Sequence, residues 1–160
     1  MAFGPEDFWN DFFGDGDGAV AAATGTYCSR DDVEDIYGIA NVARWADLEN
    51  NEDEDEIGAR ELKARQKAYT ELNSLMRNKR YVTPFTAPLP DEIVELAATY
   101  AGLWLYESRG AVDQDEQGNR VHRYALKRKE FYRKVKAIVV GGRDLEGQTL
   151  LSPRTAPQVV

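Results

Sequence analysis

A chain of 160 residues with a net charge of −8, 42% hydrophobic and 30% charged residues, fits one globular domain with flexible ends. The negative balance repels nucleic-acid phosphates on average, so any DNA contact would have to be local. One cysteine, Cys28, and one histidine, His122, exclude an internal disulfide and a metal cage built from histidine and cysteine.

Residues 1–25 form an arm. Phe8 and Phe12 are four residues apart, as are Trp9 and Phe13, so one helical turn would align an aromatic stripe. Glu6, Asp7 and Asp11 surround it. Gly14-Asp15-Gly16-Asp17-Gly18 and the small residues up to Gly25 predict a flexible linker. Five aromatics in such an arm (Phe3, Phe8, Trp9, Phe12 and Phe13) are too adhesive for a passive tail. The arm either folds back on its own core or, as a partner-binding hook, engages another subunit.

The helical core is expected over residues 26–142. Ser29 followed by Asp32 has the spacing of a capping box, in its aspartate form. Val33, Ile36 and Tyr37 give that first helix an apolar side, and Gly38 stops it. A second short helix is predicted from Ile39 to about Leu48, with Val42 and Trp45 inward. The run from Asp47 to Glu56 carries seven acids (Asp47, Glu49, Glu52, Asp53, Glu54, Asp55, Glu56) and no base. It leads into a long helix from Asp55 to about Lys79, its acids suiting the positive dipole end and Arg77, Lys79 and Arg80 the negative one. Leu62, Tyr69, Leu72 and Met76 mark its expected buried face, widened by Ala68 and Leu75.

Pro84, Pro88 and Pro90 make Tyr81–Pro90 an extended crossing, with Phe85 and Leu89 pinning it to the core. Pro90-Asp91 opens the next helix. From Ile93 to Tyr106 only Glu95 is charged, so this helix is expected to be central, packed by neighbours all round. Its apolar stretch, Leu96–Tyr106, is far short of the roughly 20 residues that cross a bilayer. With no basic segment followed by an apolar run at the start, no secretory leader or membrane partner is expected; the chain belongs in the cytoplasm or in a particle assembled there.

Arg109-Gly110 ends the central helix, and Ala111–Asn119 is a polar loop. The last helix is predicted from Arg120 to about Val140, with Tyr124, Phe131, Val135 and Ile138 inward. Residues 120–136 carry eight bases (Arg120, Arg123, Lys127, Arg128, Lys129, Arg133, Lys134, Lys136) against one acid, Glu130. Gly141-Gly142 stops the helix, and residues 143–160, with Pro153 and Pro157, read as an extended, unstructured tail. The fold class is therefore all-α: a bundle of four to five helices between an arm and a tail.

Candidate sites are few. His122 lacks a partner for metal or proton chemistry and reads as a surface residue. Cys28 precedes a helix N-terminus, which lowers a thiol pKa, but no base lies near it in sequence; it reads as a small buried residue. Counting twelve positions from Asp47 places Glu52 where a calcium loop needs glycine, so the acidic run does not fit that pattern. There is no glycine-rich phosphate loop. No catalytic residue, metal or cofactor is expected. The basic helix has three readings: a solvated face, a protein face meeting the acidic run of another copy, or a nucleic-acid face with Tyr124 and Tyr132 interleaved.

The segment Thr26-Tyr27-Cys28-Ser29-Arg30-Asp31-Asp32-Val33-Glu34-Asp35-Ile36-Tyr37-Gly38 resembles the opening of the small helical head–tail connector (adaptor) proteins of tailed bacteriophages and Mu-like prophages. An acidic loop, a long helix and a crossing Arg80-Tyr81-Val82-Thr83-Pro84 follow in similar order. An alanine- and aromatic-rich helix then ends Leu105-Tyr106-Glu107-Ser108-Arg109, and a basic helix holds Tyr124, Phe131 and Tyr132. The resemblance covers residues 26–145; the aromatic arm and the longer tail depart from it. It implies a non-enzymatic ring, commonly dodecameric, in the virion neck. Such a ring binds the portal protein above and a neck or tail-completion protein below, with genomic DNA only as the contents of its channel. A ring needs two complementary faces on each subunit. Glu52, Asp53, Glu54 and Asp55 would supply one, and Arg123, Lys127, Arg128 and Lys134 the other. The alternative is a small DNA-binding regulator using residues 120–140. Reversing charge at Lys127, Arg128 and Lys134 together is expected to impair assembly, and normal particles from that variant would rule out the pairing.

Overall fold

Ser29 caps the first helix as the sequence requires. Its hydroxyl accepts from the Asp32 amide at 3.2 Å, and the Asp32 carboxylate accepts from the Ser29 amide at 2.6 Å, closing the capping box. The computed structural model describes residues 25–110, 113–114, 120–121 and 124–151. It contains five helices: α1 (Arg30–Tyr37), α2 (Ile39–Ala46), α3 (Glu54–Met76), α4 (Asp91–Ser108) and α5 (Ala125–Val139). A two-residue antiparallel pair, β1 (Asp113–Gln114) and β2 (Arg120–Val121), lies between α4 and α5. The protein is an all-α bundle. The aromatic arm with Phe8, Trp9, Phe12 and Phe13, as well as His122 and Arg123, falls outside the described residues.

Gly38 serves as the C-cap of α1 and the N-cap of α2 at φ 85°, a conformation that favours glycine, so the two short helices turn on one residue. Val42, Trp45 and Ala46 face inward. α2 stops at Ala46, two residues before the expected Leu48, because Asp47 turns the chain. The Asp47 carboxylate accepts from the amides of Asn51 and Glu52, both at 3.2 Å. Asp53 then caps α3, accepting from the amides of Asp55 and Glu56.

The buried face of α3 keeps Ala68, Leu72 and Met76 of the expected one and differs in the rest. It runs Ile57, Glu61, Ala64, Ala68, Leu72 and Met76. Leu62 is 38% exposed, and Tyr69 and Leu75 are only partly covered. At 100° per residue Leu62 lies about 110° from the centre of that stripe. Two alanines lie on the stripe because α4 approaches closely there, and a glutamate in the stripe conceals it from a hydrophobicity pattern.

α4 occupies the centre as predicted. Between Ile93 and Tyr106 only Glu95 is exposed, and the helix packs against all four others. The tightest approach is at Gly102, where the Tyr37 ring lies so close that a Cβ would stand 2.1 Å from its Cε2. The Tyr37 hydroxyl donates to the Thr99 carbonyl at 2.8 Å, which holds the ring in place. Tyr37, Trp45, Tyr106 and Tyr124 then stack edge to face, with centroids 4.8–5.6 Å apart.

The last helix starts later than expected, at Ala125 rather than Arg120, because residues 120–121 pair with 113–114. Its inward face holds Phe131, Val135 and Ile138. The tail also departs from expectation, since residues 143–151 are not unstructured. The Leu145 side chain is buried and its amide donates to the Tyr81 hydroxyl at 2.8 Å. The Val82 amide donates to the Thr149 carbonyl and the Leu151 amide to the Arg80 carbonyl, both at 2.9 Å. The crossing segment thus gains a bridge partner, Tyr81 opposite Leu150. Proline spacing alone gave no sign that the backbone of residues 149–151 would satisfy it.

Gly102→Ala tests the α1–α4 contact. Alanine gains about 1 kcal/mol of helix propensity, but overpacking costs about 1–3 kcal/mol. The Tyr37 ring is buried and anchored at its hydroxyl, so the second effect dominates. The urea midpoint of the variant is expected to fall with an unchanged m-value.

Candidate assembly interface

The acidic run forms the corner between α2 and α3. Arg109, at the end of α4, holds this corner by donating to the Asp47 carbonyl at 2.5 Å and to Asn50 Oδ1 at 2.6 Å. Asn51 adds bonds to the Asp53 amide at 3.0 Å and to Glu56 at 3.3 Å. Glu49, Glu52, Asp53, Glu54, Asp55 and Glu56 are exposed. Among the described residues no ion pair includes any of the seven acids. Asp47 and Asp53 spend their charge on backbone amides. Glu56 accepts from Asn51, and the rest point to water, with Leu48 exposed among them.

The bases of α5 divide into two groups. Arg128 pairs with Glu107, and Lys134 Nζ lies 2.7 Å from Glu95. Lys127 Nζ stands 4.8 Å from the centre of the Tyr37 ring. Three of the four basic residues expected to meet a neighbour are therefore already engaged within the chain, and Arg123 is outside the described residues. Arg133 pairs along its own helix with Glu130, at 2.9 Å through Nε. Lys129 and Lys136 are exposed and make no ion pair among the described residues.

The basic helix begins close to the acidic corner. Tyr124, at the N-cap of α5, packs its ring 5.5 Å from Trp45, just before the acidic corner. The Arg128–Glu107 pair lies at the same end of α4 as Arg109. Helix α5 therefore starts beside the acids and runs away from them, reaching Glu95 through Lys134. Beyond its end, Arg143 approaches Glu92 at 3.9 Å.

The sequence pattern concealed a stripe on the outer side of α5. Leu126, Lys129, Arg133, Lys136 and Val140 are spaced by three or four residues and share one face, flanked by Tyr132. Leu126 is 80% exposed and Val140 68%. Attention to net charge hid the apolar members, although their period was visible.

One carboxylate is buried. Glu61 is 3% exposed, and its Oε2 lies 3.0 Å from Arg30 Nε, which also donates to Glu34 at 2.7 Å. Neither Glu61 oxygen accepts a well-aligned hydrogen bond. Burial pushes the carboxyl above its ordinary value of 4.5, and Arg30 opposes this only in part. The Cys28 thiol is likewise pushed up, to about 12, by burial. This matches a small core residue and overrides any lowering by the helix that follows. No group of three metal-binding side chains occurs among the described residues, and no helix of them is long and apolar enough to cross a membrane.

Comparison of the chain with protein-family models, with curated proteins and with solved structures finds no match.

Glu61→Gln isolates the buried charge. The folded-state pKa of Glu61 is raised, so the folded state binds the proton more tightly than the unfolded chain. Stability therefore falls as pH rises from about 4.5 through the folded-state value. The glutamine variant is expected to lose that slope, with neutral-pH stability equal to or above that of the parent, as urea unfolding across mildly acidic pH will show.

Proposed function

We propose that the chain is a structural subunit that assembles with copies of itself, and within that class a head–tail connector of a tailed bacteriophage. In that role it forms a ring, dodecameric by resemblance, in the virion neck. The ring binds the portal on one side and a neck or tail-completion protein on the other, and its bore carries DNA without enzymatic action.

The observation that carries this reading is a pair of incomplete surfaces. One is the acidic corner, whose exposed carboxylates have no cationic partner among the described residues. The other is the outer stripe of α5, where exposed Leu126 and Val140 flank Lys129 and Lys136. Each surface also has an apolar member, Leu48 on the acidic side, so contact between them would remove hydrocarbon from water as well as neutralise charge. Two different complementary patches on one subunit make a heterologous contact, the kind that closes into a ring. The net charge of −8 suits a bore that must not grip the passing phosphates. The order of elements shared with connector proteins supports the narrower identification.

The alternative, a DNA-binding regulator, is favoured by one feature: Lys129, Arg133 and Lys136 lie on one outward face. Against it, α5 follows a strand pair and not the short turn that precedes a reading helix in helix-turn-helix proteins.

Zero-length carbodiimide cross-linking of mixed heavy- and light-labelled chains separates these readings. The expected products join Lys129 or Lys136 of one copy to an acid between Glu52 and Glu56 of another. Lys129→Glu with Lys136→Glu should abolish them and weaken self-association by roughly tenfold or more. A sequence-selective gel shift at physiological salt, with no cross-links between copies, would favour the regulator. Mass spectrometry of purified tailed particles tests the narrower assignment, which requires the chain to be present.

A further inference from the structure

We propose that an open cleft at the C-terminal end of α3 is the seat of this chain's own aromatic segment, Phe8–Phe13. The cleft encloses about 430 Å³, the size of a small-ligand pocket. Tyr69, Asn73 and Arg77 of α3 line one side, Val82 and Pro84 of the crossing segment the other, and Leu151 closes the rim. Val82 and Leu151 are large apolar side chains left exposed there.

Three observations identify the occupant. The first is where the arm is rooted. Tyr27 packs its ring 4.6 Å from that of Tyr69, and its hydroxyl donates to Asn73 and accepts from the Phe85 amide. Passing toward the N-terminus, the chain therefore leaves the core from residues that touch the cleft wall. The second is reach. Residues 14–25 separate Phe13 from Thr26, and a glycine-rich linker of that length spans roughly 20 Å on average. Tethering at that distance gives an effective concentration on the order of millimolar, so even a weak contact is populated within one chain before another copy competes. The third is charge. The arm carries Glu6, Asp7, Asp11, Asp15 and Asp17 and no base. Arg77 in the cleft makes no ion pair among the described residues, and exposed Lys79 adjoins it. Acids flanking an aromatic stripe match a cleft that offers apolar side chains, Val82, Pro84 and Leu151, beside a cation, Arg77. The seat does not depend on the ring reading, since it joins two parts of one chain.

The test uses the full chain with Cys28→Ala and a cysteine pair, Phe12→Cys with Val82→Cys, under mild oxidation. The expected result is rapid formation of an intrachain disulfide, identified by mass spectrometry and by monomeric migration. A control pair, Phe12→Cys with Lys129→Cys on the outer face of α5, should react far more slowly, and adding Arg77→Glu should slow the first pair severalfold. Equal rates for the two pairs, or predominantly interchain products, would overturn the proposal; the latter would assign the cleft to a second copy's arm. A measurement without cysteines is acrylamide quenching of Trp9, taken as the difference between the parent chain and Trp9→Phe. Trp9 should be shielded severalfold relative to the free peptide of residues 1–25, and Val82→Asp should remove the shielding. Equal quenching in chain and peptide would sink the idea.

Discussion

Helix α4 cannot exist apart from the others. From Ile93 to Tyr106 only its Glu95 is exposed, and Val94, Thr99, Tyr100 and Trp104 are half-buried. Each large apolar side chain it buries contributes about 1.5–3 kcal/mol, but only if neighbours cover every side of the helix. The rest of the architecture follows from that demand. The short α1 and α2 are too brief to be stable alone, and they persist because they cover one flank of α4. There the glycine at 102 admits Tyr37 to within touching distance of the helix backbone. On another flank Ala64 and Ala68 let the long α3 close in. α5 covers a third with Phe131, Val135 and Ile138.

Charge plays two separate roles around this core. Arginines tie elements together. Arg109 fastens the acidic corner to the end of α4, and Arg60 lies over Trp104 and donates to Ser108 at 2.7 Å. Arg80 reaches the Arg143 carbonyl at 3.0 Å. A planar guanidinium with several donors suits such multi-point fastening. Most lysines instead face outward, as Lys63, Lys67, Lys129 and Lys136 do. The charge left for a partner is therefore mostly ammonium and carboxylate. Those are the groups whose strong hydration makes contacts between copies dependent on salt and easily reversed.

The sequence revealed whatever depends on neighbours along the chain. The Ser29 box, the Gly38 junction, the Pro90 start and the Gly141 stop were legible because capping and turn chemistry are local. The central place of α4 was legible because a helix with one charge in fourteen positions has nowhere else to go. The covering faces of α1, α2 and α5 were legible as well, through Val33, Tyr37, Val42, Trp45, Phe131, Val135 and Ile138. That of α3 was legible only in part: Ala68, Leu72 and Met76 were expected, but the same stripe also holds Ile57, Ala64 and a glutamate, Glu61, which breaks the hydrophobicity pattern. The pairing of residues 80–82 with 149–151 joins segments far apart in sequence, and no local signal encodes it. In the candidate interface the acidic residues were readable as a block. Which bases remain free was not, because pairing of Arg128 and Lys134 with Glu107 and Glu95 depends on how α5 crosses α4.

The crossing segment near Tyr81 is where these long-range effects converge. The Tyr81 hydroxyl accepts from the Leu145 amide, and the Val82 amide donates to the Thr149 carbonyl. The Phe85 amide is satisfied by the Tyr27 hydroxyl, and Gln148 bonds both the amide and the carbonyl of Thr86. The residues leading in from the N-terminal arm and those leading out toward the C-terminus thus fasten the same few backbone groups. A segment with three prolines has few amides with which to build a sheet, so side chains and a stray strand supply its partners. Both chain ends consequently leave the bundle from one region, beside the exposed C-terminal turn of α3. The acidic corner and the start of α5 lie elsewhere, around Trp45 and Tyr124.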